Sequence, residues 1–115
     1  MSVEIYHNPR CSKSRQTLSL LEEQGVEPKV TKYLDTPPDV ATLTGILDML
    51  NMEPRDLMRK NEKEYKELDL KNPDLSRDEL IKAMVENPKL IERPIVIKDG
   101  KAAIGRPPEQ VLEIL

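Results

Sequence analysis

Residues 3–34 read as strand, helix and strand, and this order constrains the fold more tightly than any other feature of the chain. Val3-Glu4-Ile5-Tyr6 alternates as a half-buried strand does and stops at Asn8-Pro9. A helix follows from about Cys11 to Gln24, with Leu18 and Leu21 on one face and Gly25 as its stop. Pro28 to Leu34 reads as a second strand, broken by Thr36-Pro37-Pro38. Two strands joined through a helix pair in parallel with a right-handed crossover. At 115 residues the chain buries a modest core without a metal or disulfide staple. Phe and Trp are absent and Tyr occurs three times, so aliphatic side chains must build that core.

The middle of the chain is helical. Val40, Leu43, Ile46, Leu47 and Leu50 follow helical spacing and predict a helix over 39–50. Pro54 opens a short helix through Met58. Ser76-Arg77-Asp78-Glu79 matches a capping box ahead of Leu80, Ile81, Met84 and Val85, and Asn87-Pro88 ends that helix. The charged segment 60–75 has no clear period. Near the C-terminus, Ile95-Val96-Ile97 and Ala102-Ala103-Ile104 flank Asp99-Gly100, a two-residue hairpin signal. Pro107-Pro108-Glu109 starts a last helix carrying Val111, Leu112, Ile114 and Leu115. The order βαβ, helices, ββα is that of a thioredoxin-like α/β fold. It predicts a mixed four-stranded sheet in one domain, 1–115, with a helical insertion at about 39–87.

Composition narrows the function classes. Net charge is −3, and acids and bases are interspersed over most of the length. This argues against a nucleic-acid platform, which would want a basic face or stacking aromatics. No apolar stretch reaches transmembrane length, and the N-terminus lacks the pattern of a secretory signal. One cysteine permits no intrachain disulfide, which fits a reducing compartment. A cytoplasmic location without membrane partners is expected.

That cysteine, Cys11, stands where the first strand gives way to the first helix, in Tyr6-His7-Asn8-Pro9-Arg10-Cys11-Ser12-Lys13-Ser14-Arg15. A helix N-terminus offers unpaired N–H groups and the positive end of the dipole, and both favour the thiolate. A free thiol is only about a few per cent ionised near pH 7. A pKa lowered by about two units raises the nucleophile more than tenfold. The expected contributors are the helix amides, Arg10, Lys13, Arg15 and His7. A lone cysteine is more often a small buried hydrophobe, but polar and basic neighbours favour the reactive reading. His7, the only histidine, is otherwise an ordinary strand-end residue, and its place beside the thiol suits a supporting role. Ser14 makes the pattern Cys-x-x-Ser, where a dithiol redox motif carries a second cysteine. It either bonds the helix backbone or donates to the thiolate, and reducing electrons must come from an outside thiol.

A two-residue turn at 99–100 pairs residues whose numbers sum to 199, from 98 with 101 to 93 with 106. Both members of that last pair are arginines followed by proline, Arg93-Pro94 and Arg106-Pro107. Like charges directly opposite across strands cost a few tenths of a kcal/mol up to about 1. An anion between the guanidiniums explains the juxtaposition, since each planar fork donates two parallel hydrogen bonds to an oxyanion. The alternative is that pairing frays before 93/106 and both arginines are solvated.

Other chemistries fail on spacing. A Cys-x5-Arg phosphatase loop needs arginine where Thr17 stands. One cysteine and one histidine make no structural zinc site, so no metal is expected. Four glycines form neither Gly-x-Gly-x-x-Gly nor a Walker loop.

His7-Asn8-Pro9-x-Cys11-x-x-Ser14-Arg15, Tyr33-Leu34-x-Thr36-Pro37-Pro38, Leu57-Met58-Arg59-Lys60, Glu92-Arg93-Pro94-Ile95-Val96 and Arg106-Pro107-x-Glu109 together closely resemble the glutaredoxin-coupled arsenate reductase family. The resemblance runs in register over nearly the whole chain. It implies that Cys11 attacks arsenate while Arg59, Arg93 and Arg106 hold the oxyanion, and that glutathione and glutaredoxin supply electrons. No bound cofactor is implied, glutathione being a co-substrate. Pro94 matches the cis-proline facing the thiol in such folds, and His7 and Ser14 match residues thought to lower the thiol pKa. The role of Arg59 rests on the resemblance alone. On this resemblance a compact member, without the C-terminal extension of the classical members, is expected.

Two other readings compete. The same fold serves redox-sensing regulators that bind RNA polymerase (Spx), but many of those switch through Cys-x-x-Cys, which Ser14 does not provide. A thiol-dependent reductase of another oxyanion or of glutathione adducts is the other.

Overall fold

The computed structural model describes residues 2–115, which form two compact units: residues 2–36 with 93–115, and residues 37–92. The first unit is built on strand β1 (Val3–His7), helix α1 (Ser12–Glu23), β2 (Lys29–Lys32), β3 (Ile95–Lys98) and β4 (Lys101–Ile104). Its four-stranded sheet has the order β2-β1-β3-β4. β1 and β2 are parallel, with Glu4 opposite Lys29 and His7 opposite Lys32, as the crossover through α1 requires. β3 is antiparallel to both β1 and β4. The sheet is therefore mixed, in the thioredoxin-like arrangement that the order of elements predicts.

The core of this unit is Val3, Ile5, Leu21, Val96 and Val111, with Leu18, Val26, Ala103 and Ile114 packed around it. Central β1 has a paired neighbour on each side and is buried along nearly all its length. Fully burying an aliphatic side chain of this size is worth about 1.5–3 kcal/mol. α1 ends where expected: the Gly25 N–H donates to the Glu22 carbonyl at φ +77°, the left-handed region glycine enters at little cost. The β3–β4 turn also adopts positive φ, at Asp99 (50°) and Gly100 (78°). Its register, Lys98 opposite Lys101 through Ile95 opposite Ile104, is the predicted one.

Three boundaries differ from the sequence reading. β2 is shorter than 28–34, because the Asp35 and Thr36 N–H groups both donate to the Lys32 carbonyl (3.0 and 2.9 Å) and a turn closes the strand there, although Tyr33 is buried. The last helix is a 3-10 segment, Pro108–Ile114, which packs on α1 and β4. The chain between 60 and 75 holds a short helix, α3 (Lys63–Glu67), followed by turns. Arg55 braces those turns, its guanidinium donating to the carbonyls of Leu70 (3.0 Å) and Asn72 (2.6 Å).

The second unit packs α2 (Val40–Leu50) against α4 (Arg77–Glu86) through buried Leu43, Ile46, Leu47, Leu80, Ile81 and Met84. Asp39 caps α2 by accepting the Thr42 N–H at 2.7 Å. Ser76 and Glu79 form the predicted capping box at α4. The segment opened by Pro54 is a 3-10 turn, Pro54–Leu57. Among the described residues no helix is long and apolar enough to cross a membrane.

Candidate active site

Four chain segments of the first unit meet at one end of its sheet. β1 delivers His7 and Asn8 there, α1 begins there, and β3 starts and β4 ends there. Cys11 is the N-cap of α1, with extended backbone, and its own N–H donates to the Asn8 carbonyl at 3.0 Å. The residue is 8 % exposed and therefore largely desolvated. Burial pushes the thiol pKa up, but the N–H groups of Ser14 and Lys13 and the guanidiniums of Arg93 and Arg106 outweigh it, and the net direction is down. Arg106 reaches the thiol directly: its Nη2 donates to the Cys11 sulfur at 3.6 Å.

The arginine pair of the hairpin is therefore neither frayed apart nor aimed away from the thiol. Pairing runs one step beyond the named strands, with the Gly105 N–H donating to the Pro94 carbonyl at 2.9 Å. Arg106 Nε then donates to the Arg93 carbonyl at 2.8 Å, which fixes the side chain while Nη2 faces the sulfur. Two cations held beside one thiol favour an anion there, whether the thiolate or an incoming oxyanion. Both Arg93-Pro94 and Arg106-Pro107 are cis peptides. The first is the cis-proline that the resemblance implies, and the second carries no sequence signal.

The charges of Arg10, Lys13 and Arg15 are not among the causes that lower the Cys11 pKa, and Lys13 contributes only through its backbone N–H. Arg15 donates to the Pro9 carbonyl at 2.9 Å and, with Lys32, disfavours a charged His7. Burial is the main cause that holds His7 below its ordinary pKa. His7 Nδ1 lies 2.6 Å from the Ser14 hydroxyl, which accepts the Asn8 N–H at 3.0 Å. With Nδ1 of the neutral ring unprotonated, the hydroxyl accepts from Asn8 and donates to His7, and all three groups are satisfied. The Ser14 side chain thus ties the loop to the helix, while its backbone N–H serves the sulfur.

Arg59 stands in the second unit. Its amide donates to the Leu90 carbonyl at 2.7 Å and its Nη1 pairs with Glu62 at 2.6 Å.

Two residues of this site carried no sequence signal for it. Thr17 enters the sequence analysis only as the place where a phosphatase arginine is missing, and Gly105 does not enter it at all. Both are buried between α1 and the end of β4. Ser14 and Thr17 fill two of the three buried positions of α1, where an apolar stripe is the usual pattern.

Comparison with known proteins gives a consistent family. The profile of the ArsC family matches residues 6–114. The chain is 64% identical over 114 residues to the uncharacterized protein YfgD of Escherichia coli K12, covering 98% of this chain and 96% of that one. It is 54% identical to an arsenate reductase of Haemophilus influenzae over an alignment of 116 positions that covers 100% of each chain. The solved structure of an arsenate reductase from Vibrio cholerae superposes with a TM-score of 0.97 at 59% identity, covering 100% of this chain and 98% of that one.

Proposed function

The chain belongs to the ArsC family, and on that premise we propose that it reduces arsenate to arsenite through a Cys11–arsenic adduct, with glutathione and glutaredoxin as electron donors. The Cys11 thiolate attacks arsenic(V). A sulfur–arsenic bond forms, and one arsenate oxygen leaves, protonated, as water. Arg93 and Arg106 hold the remaining oxygens and take up the charge that develops on them. Arg59 is the third oxyanion ligand in this proposal. His7 and Ser14 hold the loop that presents the thiol.

Cys11 is the only cysteine in the sequence, so the two electrons come from outside. Glutathione thiolate attacks the arsenic of the adduct, and a second oxygen leaves, protonated, as water. The glutaredoxin thiolate then attacks the glutathione sulfur, forming the mixed disulfide while the sulfur–arsenic electron pair stays on arsenic. Water hydrolyses the Cys11–arsenic(III) bond to release arsenite and the Cys11 thiol. Overall, arsenate and two thiols yield arsenite, one disulfide and water. No resident cofactor enters this scheme.

The observation that carries this reading is the Arg106 guanidinium, anchored on the Arg93 carbonyl and donating to the sulfur at a helix N-terminus. The names borne by the Haemophilus and Vibrio relatives support the substrate. The test is NADPH oxidation coupled through glutathione reductase, glutathione and glutaredoxin to this protein. An arsenate-dependent rate is expected, absent in Cys11→Ser. Arg93→Ala and Arg106→Ala should each lower kcat/KM for arsenate by about 10²–10³, the range for removing one preorganised oxyanion donor. No arsenate-dependent rate in the native chain, or native rates in all three variants, would overturn the assignment.

A further inference from the structure

We propose that Gly105 is a positioning residue, whose missing side chain lets the end of β4 press against Thr17 of α1 and so sets the reach of Arg106 to Cys11. A Cβ at Gly105 would lie 2.8 Å from Pro94 Cγ and 3.0 Å from Thr17 Cγ2, and closer still to Thr17 Oγ1. Both neighbours are buried and short, so neither swings aside as a long surface side chain does. Thr17 is further pinned, its hydroxyl donating to the Lys13 carbonyl at 2.8 Å.

The requirement for glycine here is steric. Gly25 and Gly100 occupy positive φ, whereas Gly105 does not. What the position needs is the absence of a side chain, and the reason lies on either side of it. Six residues before Thr17, one helix carries the thiol. One residue after Gly105, the strand end carries the guanidinium that meets it at 3.6 Å. The Gly105–Pro94 hydrogen bond and the Arg106–Arg93 bond make the strand end rigid, so a displacement at Gly105 moves Arg106 with it. A misplacement of about 1 Å in a reacting group can cost on the order of 10² in rate.

Though it rests on Arg106 acting at Cys11, the inference can be tested without arsenate, by the pH dependence of Cys11 alkylation. Gly105→Ala, folded as judged by circular dichroism, should raise the Cys11 thiol pKa by about half a unit or more, as expected when an opposite charge withdraws from a thiolate. Thr17→Ala removes two of the three colliding atoms and leaves a looser contact, so alone it should raise the pKa by less. The double variant Thr17→Ala/Gly105→Ala should fall between the native chain and Gly105→Ala, because part of the collision is gone. A destabilisation unrelated to Arg106 lowers Tm without moving the thiol pKa. A folded Gly105→Ala with the native pKa, or a double variant no closer to native than Gly105→Ala, would overturn the inference. If Gly105→Ala does not fold, the double variant and Thr17→Ala decide it, and native pKa values in both would count against it.

Discussion

At the scale of single residues the site is a set of small electrostatic choices that agree with one another. Cys11 is held below its ordinary pKa against burial, by amides of its own helix and by two arginines far away in sequence. His7 is pushed the opposite way, toward its neutral form, by burial and by Lys32 and Arg15. The neutral ring is the form that accepts the Ser14 proton at 2.6 Å. This has a consequence for stability. The folded pKa of His7 lies below the unfolded value of about 6.5, so as pH falls through 6.5 the unfolded chain takes up a proton that the folded chain refuses. Stability should therefore fall from about pH 7 downward and level off once the folded His7 also titrates. Asp39, which the Thr42 N–H holds below the usual carboxylate range, loses its contribution only at more acid pH, so the two limbs separate. Urea midpoints measured from pH 7.5 to 5 should show the His7 limb, and His7→Gln should flatten it. An unchanged limb in His7→Gln would assign it to another group.

At the scale of elements, legibility followed the range of the interaction. The hairpin register was readable because a two-residue turn leaves no freedom: once Asp99-Gly100 is the turn, 95/104 and the arginine pair beyond it follow. The capping box at Ser76 and the stop at Gly25 are equally local. The thiol at the first helix N-terminus was readable for the same reason. What the sequence hid is contact between elements. Nothing in residues 12–23 marks Ser14 and Thr17 as buried rather than Leu20, since the spacing rule counts apolar residues and this helix buries two hydroxyls. Nor does Gly105 differ on paper from a glycine needed for its φ. The basic residues beside Cys11 in sequence looked like the ones that tune it, whereas Arg93 and Arg106 arrive through the fold. The turn itself gives an element-level prediction. Gly100 at φ +78° has open space around its Cα, so Gly100→Ala meets no clash and pays only for the left-handed backbone, about 1–2 kcal/mol. Chemical denaturation should show that loss with the Cys11 alkylation profile unmoved. A shifted profile would mean that the far end of the hairpin governs the site.

For the whole molecule, net charge and local charge point in opposite directions. The chain carries −3, which taken alone repels an anionic substrate. The excess acid lies in the second unit, with nine Lys and Arg against thirteen Asp and Glu, while the first unit has nine against eight. The first unit is also polarised along its strands. Parallel β1 and β2 end, β3 begins and β4 ends at the Cys11 side, which places Arg10, Lys13, Arg15, Lys32, Arg93 and Arg106 there against Asp35 and Glu109. At the opposite side Glu22, Glu23, Glu27 and Asp99 stand against Lys29, Lys98 and Lys101. The Debye length is about 8 Å at physiological ionic strength, so the charges within that reach of Cys11 act on an approaching anion more strongly than the net charge does. The basic end of the first unit should then draw anions although the chain is acidic overall. The rates of Cys11 alkylation by anionic iodoacetate and neutral iodoacetamide, each divided by its rate with free cysteine, measure this directly. At low salt the iodoacetate ratio should exceed the iodoacetamide ratio several-fold. It should fall toward it as salt approaches 1 M, where the screening length shrinks to about 3 Å. The iodoacetamide ratio should hardly move. Equal ratios at low salt would mean that the basic end does not steer, and that oxyanion selection rests entirely on the contact residues.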